Sequence, residues 1–399
     1  MDGGEAFELG VVAAEASGDL LAASVLDGLQ ARLPATGLRA AGIGGPALQA
    51  RGMDCWWSID ALSVRGYVEV LREYPRLLRL RRDLRERLQA WRPDVFLGVD
   101  APDFNLDLEV GLRRAGVPTA HFIGPSVWAW RRGRLARIRE AAGLMLLVFP
   151  FEQAIYDEAG IPAVYVGHPL ADQIPPKSDR AGARRALGLP PEAPLVALLP
   201  GSRPAEIRYM AESFLETARW LRRARPELRF VLPAAGARQY EQLRALLARR
   251  GIDDSVLLTE GRSHEALAAC DTALVGSGTA TLEAALFGRP MVIAYRMAGL
   301  SYAIMRRMGY LPWIGLPNIL CRDWVVPEFV QAAATPAAMG QALLEQLDDP
   351  ALRERITGRF ADLHGTLRRD CATRCAEELL AYAERMRAGR PARGGAAVS

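Results

Sequence analysis

Small residues and hydroxyls lie where the apolar run TALV gives way to a helical pattern, in the sequence SGTATLEAALFGRP. The backbone N–H groups of Ser277, Gly278 and Thr279 would face an anion there, and the helix dipole would add positive potential. Glu283 follows in the first turns of the helix, about where a carboxylate could hold the two hydroxyls of a ribose. Phosphate and ribose together indicate a nucleotide site. A capped core helix is the alternative, because Thr279 and Thr281 are also ordinary N-terminal residues.

A second loop with the residue types of a phosphate site follows the apolar run PLVALLP. Gly201 and Ser202 allow close approach of the backbone to a phosphate, and Arg203 can contact two of its oxygens. The loop lacks the GxxxxGK(S/T) spacing of a P-loop, and neither it nor the loop at 15–19 has the GxGxxG dinucleotide fingerprint. The spacing therefore argues against ATP hydrolysis and against NAD.

In the first half of the chain, two carboxylates and an amide follow the apolar run DVFLGV as Asp100, Asp103 and Asn105. A carboxylate at the mouth of a parallel sheet can act as a general base for a substrate hydroxyl. Turn formation is the alternative, because Asp and Asn are common in loops. The D-x-x-D spacing does not by itself make a convincing metal site, and we expect no bound metal.

Other polar or aromatic residues share a place just after an apolar run, and we expect them near an acceptor substrate or in a cleft. They are Glu15, Ser17, Gly18, Ser126, Trp128 and His168. Gln331, on a proline-stiffened loop further along, joins this group. For the first three, a tight turn with Asp19 as helix cap is the alternative, and for Trp128 it is core packing. His168 suits either a ligand contact or a hydrogen bond across domains.

Short runs rich in Val, Leu and Phe alternate with longer helical patterns, which indicates parallel sheets covered on both faces. A chain of 399 residues predicts two domains. We place them at 1–170 and 171–345, divided by the proline-rich segment 169–194. Helices at 346–387 are expected to pack back or to exchange in a dimer, and the tail 388–399 to be disordered. Ligands of open parallel sheets bind beyond the carboxyl ends of the strands, where the polar loops described above lie.

Composition and charge limit the class of protein. The chain has no apolar run near the roughly 20 residues of a membrane span and no secretion signal at its start, so we expect a cytoplasmic protein. Its five cysteines form no CxxC pair and indicate neither a disulfide framework nor a zinc site. Residues 65–92 carry nine arginines against four acids, and residues 131–139 carry five arginines and no acid. Such clusters suit anionic lipid or a phosphorylated substrate, and no RNA-binding signature supports nucleic acid.

A series of short segments resembles, in order and spacing, the lipid-A-disaccharide synthases, a family of inverting glycosyltransferases with the GT-B fold. The segments are AEASGD, GIGGPALQARG, GYVEVL, DAPDFN, PSVWAW, FPFE, VGHPLAD, PGSRPAEI, SGTATLEAAL, LPNIL and VPEF. The departures are small: Ala14 stands where the family usually has Gly, Arg65 where Met is typical, and Gly124 where Ser is more usual. The resemblance implies two Rossmann-like, doubly wound α/β domains that face a central cleft.

The resemblance also implies a reaction. UDP-2,3-diacylglucosamine would donate its sugar to the 6-hydroxyl of 2,3-diacylglucosamine 1-phosphate (lipid X), giving a β-1,6-linked disaccharide 1-phosphate and UDP. Asp100 would be the base. Arg203 and the helix start at 277–279 would stabilise the departing UDP electrostatically, so that neither a metal nor another cofactor is required. Glu283 would hold the ribose, and Asn318 would help to bind the donor.

Both substrates of that reaction carry acyl chains, so the enzyme would work on the cytoplasmic face of the inner membrane without spanning it. The segment 56–82 sets apolar and aromatic residues among arginines, which suits interfacial docking. An amphipathic core helix with a solvated arginine face is the alternative. By family analogy we expect a homodimer that involves the C-terminal helices.

Two other classes of function remain open from the residues. One is another UDP-sugar enzyme of the same fold, either an N-acetylglucosamine transferase that acts on a lipid acceptor or a UDP-N-acetylglucosamine 2-epimerase. The other is a non-catalytic nucleotide-binding or membrane-scaffold protein. The release of UDP in the presence of both acylated substrates would separate the enzyme from the scaffold.

Overall fold

The computed structural model describes residues 6–62, 67–128, 133–251, 255–299, 302 and 311–388. The chain divides into two compact units, one drawn from residues 1–169 and 368–399 and the other from residues 170–367. Each unit is built on a parallel sheet whose strands alternate with helices along the chain. The predicted fold class of two Rossmann-like α/β domains is therefore confirmed.

The first unit contains a sheet of seven strands within the described residues. The strands are β1 (Phe7–Ala13), β2 (Leu38–Gly44), β3 (Asp54–Ser58), β4 (Val95–Val99), β5 (Thr119–Phe122), β6 (Leu144–Leu147) and β7 (Ala163–Tyr165). The helices between them are α1 (Ala16–Gln30), α2 (Pro46–Gln49), α3 (Tyr67–Trp91), α4 (Pro102–Arg114), α5 (Arg134–Ala141) and α6 (Glu152–Glu158). A further helix, α7 (Pro169–Gln173), begins where the two units meet along the chain.

The second unit contains a sheet of six strands within the described residues. The strands are β8 (Leu195–Leu199), β9 (Arg229–Ala234), β10 (Val256–Glu260), β11 (Thr272–Gly276), β12 (Met291–Tyr295) and β13 (Glu328–Val330). The helices are α8 (Arg180–Ala186), α9 (Pro204–Ala224), α10 (Ala237–Arg250), α11 (Ser263–Ala269), α12 (Thr279–Leu286), α13 (Leu316–Cys321), α14 (Pro336–Asp348) and α15 (Pro350–Leu367).

Both sheets are wound in two directions from a central pair of strands. The first has the order β3-β2-β1-β4-β5-β6-β7, and the second has the order β10-β9-β8-β11-β12-β13. The strand order reverses between β1 and β4 in one sheet and between β8 and β11 in the other. A crevice opens at such a switch point, beyond the carboxyl ends of the strands, and open α/β sheets bind their ligands there.

The two central pairs are buried almost completely, as expected for parallel strands covered on both faces. Every residue of β4, β8 and β11 is buried, and all but one of β1. Apolar side chains of α3, including Leu84 and Leu88, pack with Val12 and Phe96 of the first sheet. The core therefore fixes the positions of the strand ends, from which the polar loops project.

The last described helix, α16 (Cys371–Ala388), belongs to the first unit although it comes at the end of the chain. It packs on α1, and Gly28 marks the closest approach. A Cβ at Gly28 would lie 2.5 Å from the carbonyl oxygen of Ala372 and 3.3 Å from the Cβ of Ala376. The chain thus returns to the first unit after completing the second. Residues 389–399, in the predicted tail, lie outside the described residues.

Candidate active site

The switch point of the first sheet carries a cavity of about 210 Å³ between the ends of β1 and β4. Its lining residues come from the loops that follow these two strands. They are Ala14, Glu15, Gly18, Val99, Asp100, Ala101 and Pro102. The structure therefore brings the predicted base together with two of the predicted acceptor-side residues.

Asp100 is held in an unusual backbone conformation at this cavity. Its φ is 49° and that of Ala101 is 44°, in the left-handed region that non-glycine residues seldom adopt. The Asp100 N–H donates to the carbonyl of Phe122 at 2.9 Å, and Nδ2 of Asn105 donates to the Asp100 carbonyl at 2.8 Å. Two consecutive strained residues at a strand end point to a functional constraint. Asn105 is fully buried, and its amide nitrogen contacts the backbone that carries Asp100.

Asp103, predicted beside Asp100, is exposed and forms an ion pair with Arg134 at 2.7 Å. Glu15 precedes the first residue of α1, and Ser17 is exposed in its first turn. The neighbouring Asp19 is buried, and its carboxylate accepts the backbone N–H groups of Gly45 (2.7 Å) and Ala47 (2.8 Å). Asp19 therefore caps α2, 26 residues further along the chain, and not the helix in which it lies.

Trp128 belongs to an aromatic cluster within the first unit. Its ring meets those of Phe149 and Phe151 edge to face, with centroids 6.2 and 5.4 Å apart. The His168 ring lies 5.4 Å from that of Phe149, and burial lowers the pKa of His168 to about 4. The imidazole is therefore neutral near pH 7, which limits it to hydrogen bonding and packing. Ser126 is exposed.

Glu152 lies behind this cluster and is buried. The backbone N–H of Phe149 donates to its Oε2 at 3.1 Å. Burial raises the pKa of the Glu152 carboxyl to about 7, although hydrogen bonds from the backbone and from Trp128 favour the anion. Desolvation thus outweighs the hydrogen bonds. Glu152 ends the segment FPFE of the family resemblance, but no role was predicted for it from the sequence.

At the switch point of the second sheet, the two predicted phosphate loops follow neighbouring strands. Leu199, the last residue of β8, pairs with Val275 of β11, so the loops that begin at Gly201 and Gly278 leave the same edge. Both glycines have positive φ, 126° and 127°, where a side chain would be strained. The structure therefore places the two predicted phosphate loops side by side at one edge of the sheet.

Arg203 is the N-cap residue just before α9 and shares a capping box with Glu206. Oε2 of Glu206 accepts the N–H groups of Ser202 (2.9 Å) and Arg203 (3.1 Å), and the Arg203 guanidinium lies 3.1 Å from Oε1. The Arg203 side chain is 82% exposed. Glu206 therefore fixes the loop backbone, while the guanidinium stays open to solvent and to an anion.

The start of α12 is tied to the segment that precedes α13. Oγ of Ser277 donates to the Ile314 carbonyl at 3.3 Å. The Thr281 hydroxyl donates to the Gly278 carbonyl at 2.8 Å and accepts the Leu316 N–H at 3.3 Å. Thr281 is therefore a buried structural residue. Thr279, the first residue of the helix, is exposed.

Glu283 has a partner that the sequence did not reveal. Nε2 of His264, on α11, lies 3.6 Å from Oε2 of Glu283, and the two are paired. The interaction with the Glu283 carboxylate raises the pKa of His264 against the opposing effect of burial. The His264 ring also packs edge-on to Phe287, 5.3 Å away. The pair orients the Glu283 carboxylate on the face of α12.

Asn318 is fully buried, and all its hydrogen-bonding groups have protein partners. Nδ2 donates to the Val326 carbonyl (2.8 Å) and to Glu328 (2.9 Å), while Oδ1 accepts the N–H groups of Val325 and Val326. Glu328 also accepts from the backbone of Ile314 and Gly315. An Asn amide has two donors and two acceptor sites. Asn318 uses all four of them to hold this loop.

Gln331, predicted on the acceptor side, lies in the second unit. Its amide bonds both backbone groups of Met297, accepting from N–H at 3.1 Å and donating to the carbonyl at 3.0 Å. The residue has a positive φ of 54°. Its observed contacts are therefore those of a loop clamp.

The segment 56–82 is not one continuous helix. Trp56 and Trp57 lie on β3, and both pack against the core. The Arg87 guanidinium covers the Trp56 ring at 4.0 Å from its centroid, a cation–π contact. Leu80 is buried. Core packing therefore accounts for part of the apolar surface that the sequence assigned to docking.

Tyr74 and Leu78 of α3 are exposed, by 55% and 38%. Several residues of the predicted docking segments have side chains outside the described part of the chain. They are Val64, Arg65, Tyr67, Val68, Leu71, Trp130, Arg131 and Arg132. Among the described residues, no helix combines the length and apolar character that crossing a membrane requires. The same residues contain no group of three or more His, Cys, Asp or Glu side chains placed to hold a metal ion.

Solved structures share this architecture. A putative UDP-N-acetylglucosamine 2-epimerase from Listeria monocytogenes matches with a TM-score of 0.63 at 12% identity, covering 97% of this chain and 98% of its own. The calicheamicin glycosyltransferase matches with a TM-score of 0.61 at 16% identity, covering 96% and 99%. At such identities the likeness shows the fold alone, which is the GT-B architecture.

Sequence relatives are much closer. The protein of Thiobacillus denitrificans is 51% identical over 94% of this chain and 100% of its own length, and that of Burkholderia vietnamiensis is 50% identical over 94% and 96%. Both are named lipid-A-disaccharide synthase. A family model described as lipid-A-disaccharide synthetase matches residues 9–377. From the first strand to the last helix, the chain belongs to the lipid-A-disaccharide synthase family of glycosyltransferases.

Proposed function

We propose that Asp100 is the general base of the reaction that defines this family. The reaction transfers 2,3-diacylglucosamine from its UDP conjugate to the 6-hydroxyl of 2,3-diacylglucosamine 1-phosphate. The observation that carries the proposal is the strained Asp100–Ala101 turn at the cavity between β1 and β4. It presents an exposed carboxylate at a topological switch point, where ligands of such sheets bind. Glu15 and Gly18 line the same cavity and would contact the acceptor.

The chemistry is a single displacement. Asp100 takes the proton of the acceptor 6-hydroxyl as its oxygen attacks the anomeric carbon of the donor. The bond from that carbon to the UDP oxygen breaks with its electron pair, and the configuration inverts. UDP leaves as an anion, and Asp100 later returns its proton to solvent. A positioned base of this kind contributes roughly 10²–10⁴-fold to the rate.

The second unit supplies the groups that would hold the leaving UDP. The Arg203 guanidinium is exposed, and the glycines at 201 and 278 allow close approach to the diphosphate. The N–H groups at the start of α12 add positive potential, which stabilises the charge that develops on the leaving group. Glu283, oriented by His264, is the ribose ligand. With this set of charges we propose that no divalent metal takes part, and activity should survive EDTA.

Asn318 and Gln331 enter this proposal as residues that act through the loops they hold. The side-chain amide of each residue forms hydrogen bonds with other groups of the protein. Asn318, together with Glu328, fixes the loop that precedes β13, and Gln331 holds the backbone of Met297. Their substitution should therefore weaken donor binding by loosening these segments.

We also propose that the protein works peripherally on the cytoplasmic face of the inner membrane. The support is the acylated substrates, the arginine clusters of the first unit, and the exposed Tyr74 and Leu78 on α3. Self-association as a homodimer through the C-terminal helices and the absence of a nucleic-acid partner belong to the same proposal.

The decisive experiment compares Asp100→Asn with the wild type in an assay of UDP release from the two acylated glucosamine substrates. We expect turnover to fall by about 10³-fold, since the base is lost, while UDP binding measured by calorimetry is retained. Asp107→Asn is the matched control, because Asp107 lies on α4, the helix that follows Asp100, and its carboxylate pairs with Arg81 and Arg137. Turnover near the wild-type rate in Asp100→Asn would remove the base assignment.

A UDP-N-acetylglucosamine 2-epimerase is the second candidate, favoured by the shared architecture alone. The same assay separates the two. An epimerase converts a UDP-sugar without any acceptor and retains the UDP-sugar bond in its product. Acceptor-dependent UDP release supports the transferase.

A further inference from the structure

A carboxylate and an imidazole are buried together beneath the Asp100 turn. Glu109 on α4 and His121 on β5 are both fully buried, with 2.7 Å between Oε1 and Nδ1. Gly98 of β4 makes room for them, because a Cβ there would lie 2.1 Å from Oε1 of Glu109. The transfer mechanism described above uses neither side chain. A buried ion pair is weak evidence for stability, since desolvation offsets the Coulombic gain.

The ion pair joins α4 and β5, the two elements whose residues form hydrogen bonds with the Asp100 backbone. Asn105, which donates to the Asp100 carbonyl, lies on α4 one turn before Glu109, so the two side chains share one helix face. Phe122, whose carbonyl accepts the Asp100 N–H, follows His121 on β5. Both backbone hydrogen bonds of the strained residue therefore come from neighbours of the pair.

We propose that Glu109 and His121 are positioning residues for the transfer reaction. Their contact locks α4 to β5 and so keeps Asp100 in its left-handed conformation, with its carboxylate at the cavity. This inference rests on the proposed role of Asp100 as base. Neither residue touches substrate. Each acts through the backbone that carries the base.

The charges around His121 give the proposal a measurable signature. Burial opposes protonation of the ring, but the charge and hydrogen bond of Glu109 outweigh it, with a further contribution from Asp100, so the pKa of His121 is raised. On the other side of β5, His121 is level with the apolar Met145 of β6. Two buried tyrosines near the strand, Tyr156 and Tyr382, stay neutral because burial raises their pKa values.

Glu109→Gln is the first test, because it keeps the shape of the side chain and an acceptor oxygen but removes the charge. We expect kcat to fall by about 10–100-fold, as a base displaced from its productive geometry would give, with the donor KM within about twofold. The alkaline limb of the kcat–pH profile, where His121 loses its proton, should move to lower pH. A wild-type kcat with an unchanged profile would overturn the proposal.

Two controls keep that result specific. Glu152 also has a pKa near neutral pH, so it could produce the alkaline limb in place of His121. If His121 produces the limb, the limb should remain in Glu152→Gln. If the limb disappears in this control instead, the assignment to His121 is lost. Asp107→Asn, on the same helix, should leave both kcat and the profile unchanged, which excludes a general disturbance of α4.

A second measurement does not depend on the folding of the Glu109 variant. The chain has only four histidines, so the His121 imidazole can be followed by NMR in labelled protein and assigned by its loss in His121→Gln. Removing the Asp100 charge in Asp100→Asn should lower the pKa of His121, because interaction free energies are reciprocal. Identical His121 titrations in wild type and Asp100→Asn would overturn the coupling. Retained turnover in Asp100→Asn would instead remove the proposed base, so the two failures are distinguishable.

Discussion

At the scale of the single residue, burial decides the chemistry of several side chains in the first unit. His168 and Glu152 lie behind the same aromatic cluster, and burial moves the pKa of each toward its neutral form, to about 4 and about 7. Only the second value, that of Glu152, lies near neutral pH. Glu152 therefore gives the first unit a stability that depends on pH in a predictable direction.

We predict that Glu152→Gln stabilises the protein more at pH 8 than at pH 5. The folded pKa of about 7 lies above the ordinary glutamate pKa of 4.5, so the folded state binds the extra proton between these two pH values. Stability therefore falls as pH rises through this window, by at most about 3 kcal/mol. The variant, neutral throughout, lacks this loss.

Urea unfolding of both proteins at the two pH values measures the effect. Glu158→Gln, an exposed change on the same helix, should show no such difference between pH 5 and pH 8. A Glu152→Gln effect of equal size at both values would contradict the prediction.

Residue types at strand ends were enough to select Asp100, Arg203 and Glu283 from the sequence. The side chains that these residues pair with could not be predicted from the sequence, because His264 precedes Glu283 by a strand and a loop. In the same way, Asp19 caps a helix 26 positions away. Such pairs form only when the sheet brings separate loops together. A polar type at a loop position also cannot tell a ligand contact from an internal clamp, as Asn318 shows.

At the scale of the element, the buried central strands were predictable from the sequence, whereas the edge strands β3 and β13 were not. Continuous apolar runs marked β4, β8 and β11, whose residues are all buried. By contrast, β3 and β13 are only partly buried, and β13 has three residues. Their sequences therefore lack a continuous apolar pattern. In β2 the run is interrupted by glycines, and the register shifts between Gly42 and Ile43.

The fit of α16 on α1 leads to a prediction with an internal control. Gly28→Ala should destabilise the first unit by about 1–3 kcal/mol, because the new Cβ would collide with the Ala372 backbone. Gly358→Ala, on α15, has nothing within 4 Å of the new Cβ and should stabilise its helix by up to about 1 kcal/mol.

Thermal unfolding of both variants, with hydrogen exchange to locate the change, measures these effects. Loss of protection in Gly28→Ala should centre on α1 and α16. Two variants that shift in the same direction would show that helix propensity, and not the α1–α16 contact, governs position 28.

At the scale of the whole molecule, the two units differ in their content of arginine and in the steps of the reaction that we assign to them. The arginine-rich segments fall in the first unit, with the proposed base, and the proposed UDP loops fall in the second. The sequence indicated two such domains by repeating the order of strand, loop and helix. It could not show that Trp56 and Leu80 would be used for packing, since a core and a membrane select the same side chains.

Vesicle binding tests the exposed part of the predicted docking surface, which includes Tyr74 and Leu78. The double variant Tyr74→Ser, Leu78→Ser should bind anionic phospholipid vesicles about tenfold more weakly, because it loses roughly 1–2 kcal/mol of apolar burial. Met386→Ser is the control, since Met386 is as exposed as Leu78, at 38%, and lies on α16. Equal binding of both variants, measured by vesicle sedimentation, would return α3 to a purely structural role.

The return of α16 to the first unit has a consequence for how the protein is made. Synthesis delivers β1 to β7 early, but the helix that covers α1 leaves the ribosome only after the second unit has been translated. At about 5–20 residues per second, the roughly 200 intervening residues take about 10–40 s. Throughout that interval the face of α1 around Gly28 remains uncovered in the nascent first unit.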